Sequence, residues 1–194
     1  ALHEVNMTLK SSQVLGLIGE NGAGKSTLMK ILAGVQPTDQ GEIMLEGELV
    51  GLNSTRDALS LGIALIHQEL NLATNLSVGA NVFLGREPLS GGFIDDNRIM
   101  RESRKFLSMV GLDIDPSTLV GDLTIGRQQM VEIARAIAFD CRVLVFDEPT
   151  SSLTSSDIKH LFALIRRLKD RGISVIYISH FLEEVKEISD RILV

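Results

Sequence analysis

The chain has 194 residues, 44% of them apolar and 23% charged, with no low-complexity tract. This is an ordinary globular composition, and a chain of this length can be one α/β domain that folds without disulfide or metal staples. A formal charge of −6 weighs against a nucleic-acid partner, whose binding needs a basic face, and no stretch approaches the roughly 18 apolar residues that a membrane-spanning helix requires. The one cysteine, Cys141, cannot close an internal disulfide, and with no signal-like amino terminus it points to a reducing compartment.

Leu2, Val5, Met7 and Leu9 alternate at the start, and Ile192-Leu193-Val194 reads as the opening of a strand, so the chain is expected to be a piece of a longer one. Gln13–Ile18 predicts a short buried strand, Gly19–Gly24 a glycine loop, and Ser26–Ala33 a helix that Gly34 stops. Turn residues between short apolar pieces over 35–55 predict β-hairpins, and Ile63–His67 another strand. Residues 73–121 have a different, mostly helical character. Met100, Arg104, Leu107, Val110 and Leu112 form an amphipathic stretch there, and Leu89-Ser90-Gly91-Gly92 an exposed loop. The α/β rhythm then resumes with a helix at Gln128–Phe139, a strand at Arg142–Phe146 that follows Cys141, a helix at Asp157–Asp170 and a strand at Ile173–Ser179. The expected fold is α/β: a mostly parallel sheet core with a small antiparallel β subdomain (1–72 and 122–194) and an inserted helical subdomain (73–121). Cys141 itself reads as a half-buried small residue.

Gly19-Glu20-Asn21-Gly22-Ala23-Gly24-Lys25-Ser26 matches the phosphate-loop pattern in full. Only glycine lets successive backbone N–H groups curl around a phosphate, and the following helix aims its positive end at the same point. Lys25 is expected on the β- and γ-phosphates of ATP and the Ser26 hydroxyl on Mg²⁺, with Thr27 in the same set. The apolar run Val143–Phe146 ends in Asp147-Glu148, and alternation would send the two carboxylates to opposite sides. Asp147 suits the Mg²⁺ shell, and Glu148 suits the attacking water. Gln68, after the strand Ile63–His67, could reach both metal and water. His180, at the end of Ser174–Ser179, could bond the γ-phosphate. Leu123-Thr124-Ile125-Gly126-Arg127-Gln128-Gln129 places a hydroxyl and a glycine directly before a helix, where Thr124 and Gly126 could form a second anion site or a plain helix cap. His3, His67 and His160 show no partner pattern and read as structural.

In this order and spacing the set resembles the nucleotide-binding domain of ABC transporters over essentially the whole chain. Gly19–Lys25, Ile66–Leu72, Phe83–Glu87, Gln128–Ala134 and Tyr177–His180 further resemble the fused ATPase subunits of ribose/xylose/galactose-class importers. The resemblance implies an ATP-hydrolysing domain at the cytoplasmic face of the cell membrane. It implies as partners a second cassette in the same full-length chain, transmembrane permease subunits and, indirectly, a periplasmic or extracellular sugar-binding protein, with no nucleic acid. Two cassettes would close head to tail on ATP, each phosphate loop facing the other's signature. Glu148 and His180 argue against a non-hydrolysing regulatory half. The short stretch from Gln68 to Thr124 excludes a chromosome-type member, and the negative charge weighs against a translation-type one. Thr124 and Arg127 depart from the family's serine and glutamine, Thr154 stands where the D-loop aspartate is expected, and the adenine-stacking aromatic is expected ahead of Ala1.

Overall fold

Strands made of Val, Ile, Leu and Tyr without polar alternation must be covered on both faces, and the computed structural model places them that way. It describes residues 2, 5–20 and 22–194. Five strands form one sheet in the order β4 (Ile63–Ile66), β7 (Val143–Asp147), β8 (Ser174–Ile178), β1 (Val14–Leu17), β9 (Arg191–Leu193). β1 runs parallel to β8 and β9, and β7 parallel to β8. All four residues of β1 and all five of β8 are buried. Leu17, Met29, Val145, Ile176 and Ile178 close one core cluster, each buried side chain of this size contributing about 1.5–3 kcal/mol. β9 is seated by Asp190, whose carboxylate accepts the Val14 N–H (2.8 Å) while its own N–H donates to the Val14 carbonyl (2.8 Å).

Helix α1 (Lys25–Leu32) lies against β7, and α7 (Leu182–Ile188) against β1. The turn-rich stretch forms a single antiparallel hairpin, β2 (Ile43–Leu45) with β3 (Glu48–Val50), followed by α2 (Thr55–Ser60). No strand forms over residues 5–10. Met7 and Leu9 pack on the core cluster instead, so their alternation reflects burial rather than pairing.

Packing divides the chain into two compact units, residues 1–65, 141–149 and 166–194, and residues 66–140 and 150–165. In the second unit α3 (Val78–Phe83), α4 (Asp96–Val110) and α5 (Ile125–Ala138) pack on one another. α4 turns Ile99, Ser103, Leu107 and Val110 inward, leaving Arg104 exposed. Asn81, fully buried on α3, accepts the Ala73 N–H (2.8 Å) and donates to the carbonyls of Ala73 (2.9 Å) and Ser77 (3.0 Å), which pins the turn before α3. The expected loop at Leu89–Gly92 is the exposed tip of a hairpin, β5 (Leu89–Ser90) with β6 (Phe93–Ile94). α6 (Ser155–Asp170) completes the helices. No helix of the described residues is long and apolar enough to cross a membrane.

Candidate functional site

In a parallel sheet, ligands gather at the carboxyl ends of the strands, where chain direction delivers every loop to one edge. Leu17 of β1 pairs with Ile178 of β8, and Ile178 with Asp147 of β7, so three strands end level. β1 leads into the glycine loop, in which Gly22 (φ 87°) and Gly24 (φ 93°) adopt the left-handed backbone that costs other residues about 1–2 kcal/mol. α1 then begins with no side-chain cap and no acid in its first turn, an arrangement that leaves its leading amides for an anion. The Lys25 ammonium folds back to donate to the carbonyls of Gly19 (2.6 Å) and Glu20 (2.9 Å). Ser26 stands exposed in the same turn and Thr27 half-buried; Asn21 lies outside the described residues, as does His3.

β7 delivers Asp147 as its last residue, half-buried. Strand alternation does not extend to Glu148: the backbone turns left-handed there (φ 48°), and its N–H donates to the Ile178 carbonyl (3.0 Å). Glu148 is aimed by that turn, with its Oε2 3.3 Å from Nδ1 of His180. β8 ends at Ile178, two residues before His180, and the intervening turn is held by side chains the sequence did not single out. Tyr177 Oη and Ser179 Oγ both donate to Glu184 Oε2 (2.9 Å each), and Ser179 Oγ accepts the Phe181 N–H (3.0 Å). The peptide that follows His180 is thereby held, and the His180 ring lies tilted against that of Phe181, with centroids 3.9 Å apart. A buried hydroxyl at a strand end with a glutamate in the following helix is the signal that could have revealed this network.

The remaining sequence-selected residues belong to the second unit. Gln68 lies exposed just past β4, beside the half-buried His67, and His160 is exposed on α6. α5 begins at Ile125, three residues earlier than the sequence pattern suggests, so Gly126 sits inside the first turn rather than before the helix. Thr124 is the N-cap residue, exposed, with no side-chain bond to the turn it caps. Gly126 is required by packing: a Cβ there would meet the Asp157 carboxylate at 2.7 Å. Asp157 is itself fixed: its carboxylate accepts from the Thr154 hydroxyl (2.6 Å) and its N–H donates to the same hydroxyl (3.3 Å), so that Thr154 caps the start of α6. Gln128 holds the turn before α5 by donating to the carbonyls of Leu123 (3.0 Å) and Val120 (3.2 Å). Ile125 and Arg127 face solvent. Cys141 is buried, which pushes its thiol up to about 12, and it is chemically quiet.

Strand, left-handed glycine loop, helix and strand-end carboxylates define a P-loop NTPase. A sequence model of the ABC transporter family matches residues 2–151, and the chain belongs to that family. It is 49% identical over 196 residues to a putative ribose/galactose/methyl galactoside import ATP-binding protein of Burkholderia ambifaria. It is 50% identical over 195 residues to a ribose import ATP-binding protein of Rhodopirellula baltica. Both alignments cover 100% of this chain and 38% of the relative, so the chain spans well under half the length of these proteins. In fold it matches cbiO1 of Clostridium perfringens, part of an ABC transporter complex, with a TM-score of 0.83 and 24% identity, over 98% of this chain and 76% of that one.

Proposed function

We propose that this chain binds and hydrolyses ATP as the amino-terminal cassette of a two-cassette subunit that energises sugar import through a membrane permease. The observation that carries this reading is the Glu148–His180 pair at 3.3 Å, held level with the end of the strand that feeds the phosphate loop. Glu148 positions or deprotonates the attacking water, and His180 bonds the γ-phosphate. Lys25 and the amides of Gly19, Glu20, Asn21, Gly22, Ala23 and Gly24, with Ser26 and Thr27, bind the phosphates. The residues fit Mg²⁺: an exposed serine hydroxyl and a strand-end aspartate are hard oxygen donors, so Ser26 and Asp147 would hold it, and it would neutralise charge on the β- and γ-phosphates. Gln68 keeps the metal-and-water role its place in the sequence assigns. Thr124 and Gly126 belong to the anion site offered to the partner cassette's nucleotide, and residues 73–121 are the inserted helical subdomain.

The relatives' names, which speak of ribose and galactose import, support the sugar and the direction of transport; a seat at the cytoplasmic face of the membrane, with permease and binding-protein partners, is part of the same proposal. Glu148→Gln in the full-length protein assembled with its permease tests the reading. ATP binding should stay within a few-fold while hydrolysis drops by about 10³ or more, the loss expected of a group acting on the water. Loss of nucleotide binding would instead move Glu148 into the metal shell or the fold.

A further inference from the structure

α5 carries an acid that the hydrolytic reading leaves without a use. Glu132 is buried in a helix whose neighbouring positions, Val131, Ile133 and Ala134, are also buried, and burial pushes its carboxyl up to about 7. Its Oε2 has no hydrogen-bond partner among the described residues. A buried carboxylate half-satisfied in this way is costly and is expected only where its other oxygen has a job. Oε1 accepts the N–H of Asn71, three residues after Gln68 (3.3 Å). One turn along α5, Arg135 Nη1 donates to the Asn71 carbonyl (3.4 Å) and Nη2 to the Leu84 carbonyl (3.4 Å). Both backbone polar groups of Asn71, its N–H and its carbonyl, are therefore held by α5 side chains spaced i, i+3, the spacing that puts them on one face.

We propose that Glu132 is a positioning residue: together with Arg135 it clamps Asn71, so that the segment following Gln68 and the helix that begins at Thr124 move as one body. A displacement of the Gln68 segment is then carried to the Thr124–Gly126 turn along α5, about 12–16 Å of continuous helix at 1.5 Å per residue. The same holds in reverse. The clamp rests on the proposed function only for its consequence in turnover; the mechanical link stands on the contacts alone.

Two readouts on the full-length protein with its permease separate these. Glu132→Gln keeps an acceptor oxygen for the Asn71 N–H, whereas Glu132→Leu fills the space and removes the acceptor. Amide hydrogen exchange over residues 69–73 should be about ten-fold faster in Glu132→Leu and unchanged in Glu132→Gln, as loss of one hydrogen bond predicts. ATP turnover should fall several-fold in kcat in the leucine variant with KM for ATP unchanged, and return in the glutamine variant. Arg135→Ala removes the other jaw and should speed the same exchange by a smaller factor, which decides the matter if the leucine variant does not fold. Unchanged exchange in both Glu132→Leu and Arg135→Ala, or a glutamine variant as impaired as leucine, would overturn the clamp. A wild-type protein that shows the exchange pattern but hydrolyses no ATP would refute the functional reading and leave the clamp standing.

Discussion

Two helix starts in this chain look alike in sequence and are built differently. α1 and α5 each follow a loop containing glycine, and neither has a side-chain cap or an acid in its first turn. Each carries a cation there, Lys25 in one and Arg127 in the other, although the helix field disfavours positive charge at that end by about 0.3–1 kcal/mol. Beyond this the two part. Gly24 is needed for its backbone, at φ 93°, while Gly126 is helical and needed for the space it leaves to Asp157. Lys25 is folded onto carbonyls of its own loop, and Arg127 stands in solvent. The first start has the backbone the proposed phosphate site needs. The second is a surface shaped by packing.

The sharpest way to break this comparison is to remove the cation from each start. Lys25→Ala should cost roughly 10²–10³ in turnover of the assembled protein, as loss of a preorganised charge contact does. A steady-state ATPase rate within a few-fold of wild type would cancel the distinction between the two turns.

The bodies of the helices in the second unit give the next largest effect. α5 encloses Glu132, and the charge that bears on it is the Arg135 guanidinium. α3 has no titratable residue, and α4 turns only Ile99, Ser103, Leu107 and Val110 inward. Because the carboxyl is raised from 4.5 to about 7 on folding, its protonation supports the fold fully below pH ~4.5, and that support is lost as pH rises through ~7. Glu132→Gln should match wild type near pH 4.5 and exceed it in unfolding free energy near pH 8, by at most on the order of 3 kcal/mol. Denaturant melts at the two pH values read this directly, and a gap that does not widen with pH contradicts it.

The glycines come third. Gly24→Ala should cost about 1–2 kcal/mol in backbone strain and weaken ATP binding with it. Gly126→Ala should cost about 1–3 kcal/mol by overpacking, with ATP binding retained. Asp157→Ala should relieve the second substitution and not the first, as a double-mutant cycle on thermal stability would show.

Smallest of all is the pair of departures at the second start. Thr124→Ser with Arg127→Gln should leave turnover within a factor of about two, since a threonine hydroxyl can donate to a phosphate as a serine does. A many-fold rise would make Thr124 a brake on a working site.

Legibility followed the same line. The left-handed turns at Gly22 and Gly24 could be read directly from the glycine loop, and so could the buried strands, because a run of Val and Ile carries its own burial pattern. Residues whose role depends on another element could not. Glu184 becomes meaningful only when α7 returns past Tyr177 and Ser179, Glu132 only when Asn71 lies beside α5, and Gly126 only once Asp157 is in place. The start of α5 was misplaced by three residues because Thr124 and Ile125 are exposed and carry no apolar periodicity. Alternation alone misplaces Glu148, because a left-handed glutamate leaves no trace in composition.

That left-handed glutamate has a consequence for how the protein can change. A non-glycine residue at φ 48° holds a conformation that glycine adopts without penalty and asparagine with little. Position 148 is thus one where the most comfortable residue for the backbone is inert toward water, and the one that the proposed hydrolysis uses is uncomfortable. Drift toward robustness and drift toward turnover point in opposite directions there, and a lineage released from the need to hydrolyse would be free to relax at this peptide first.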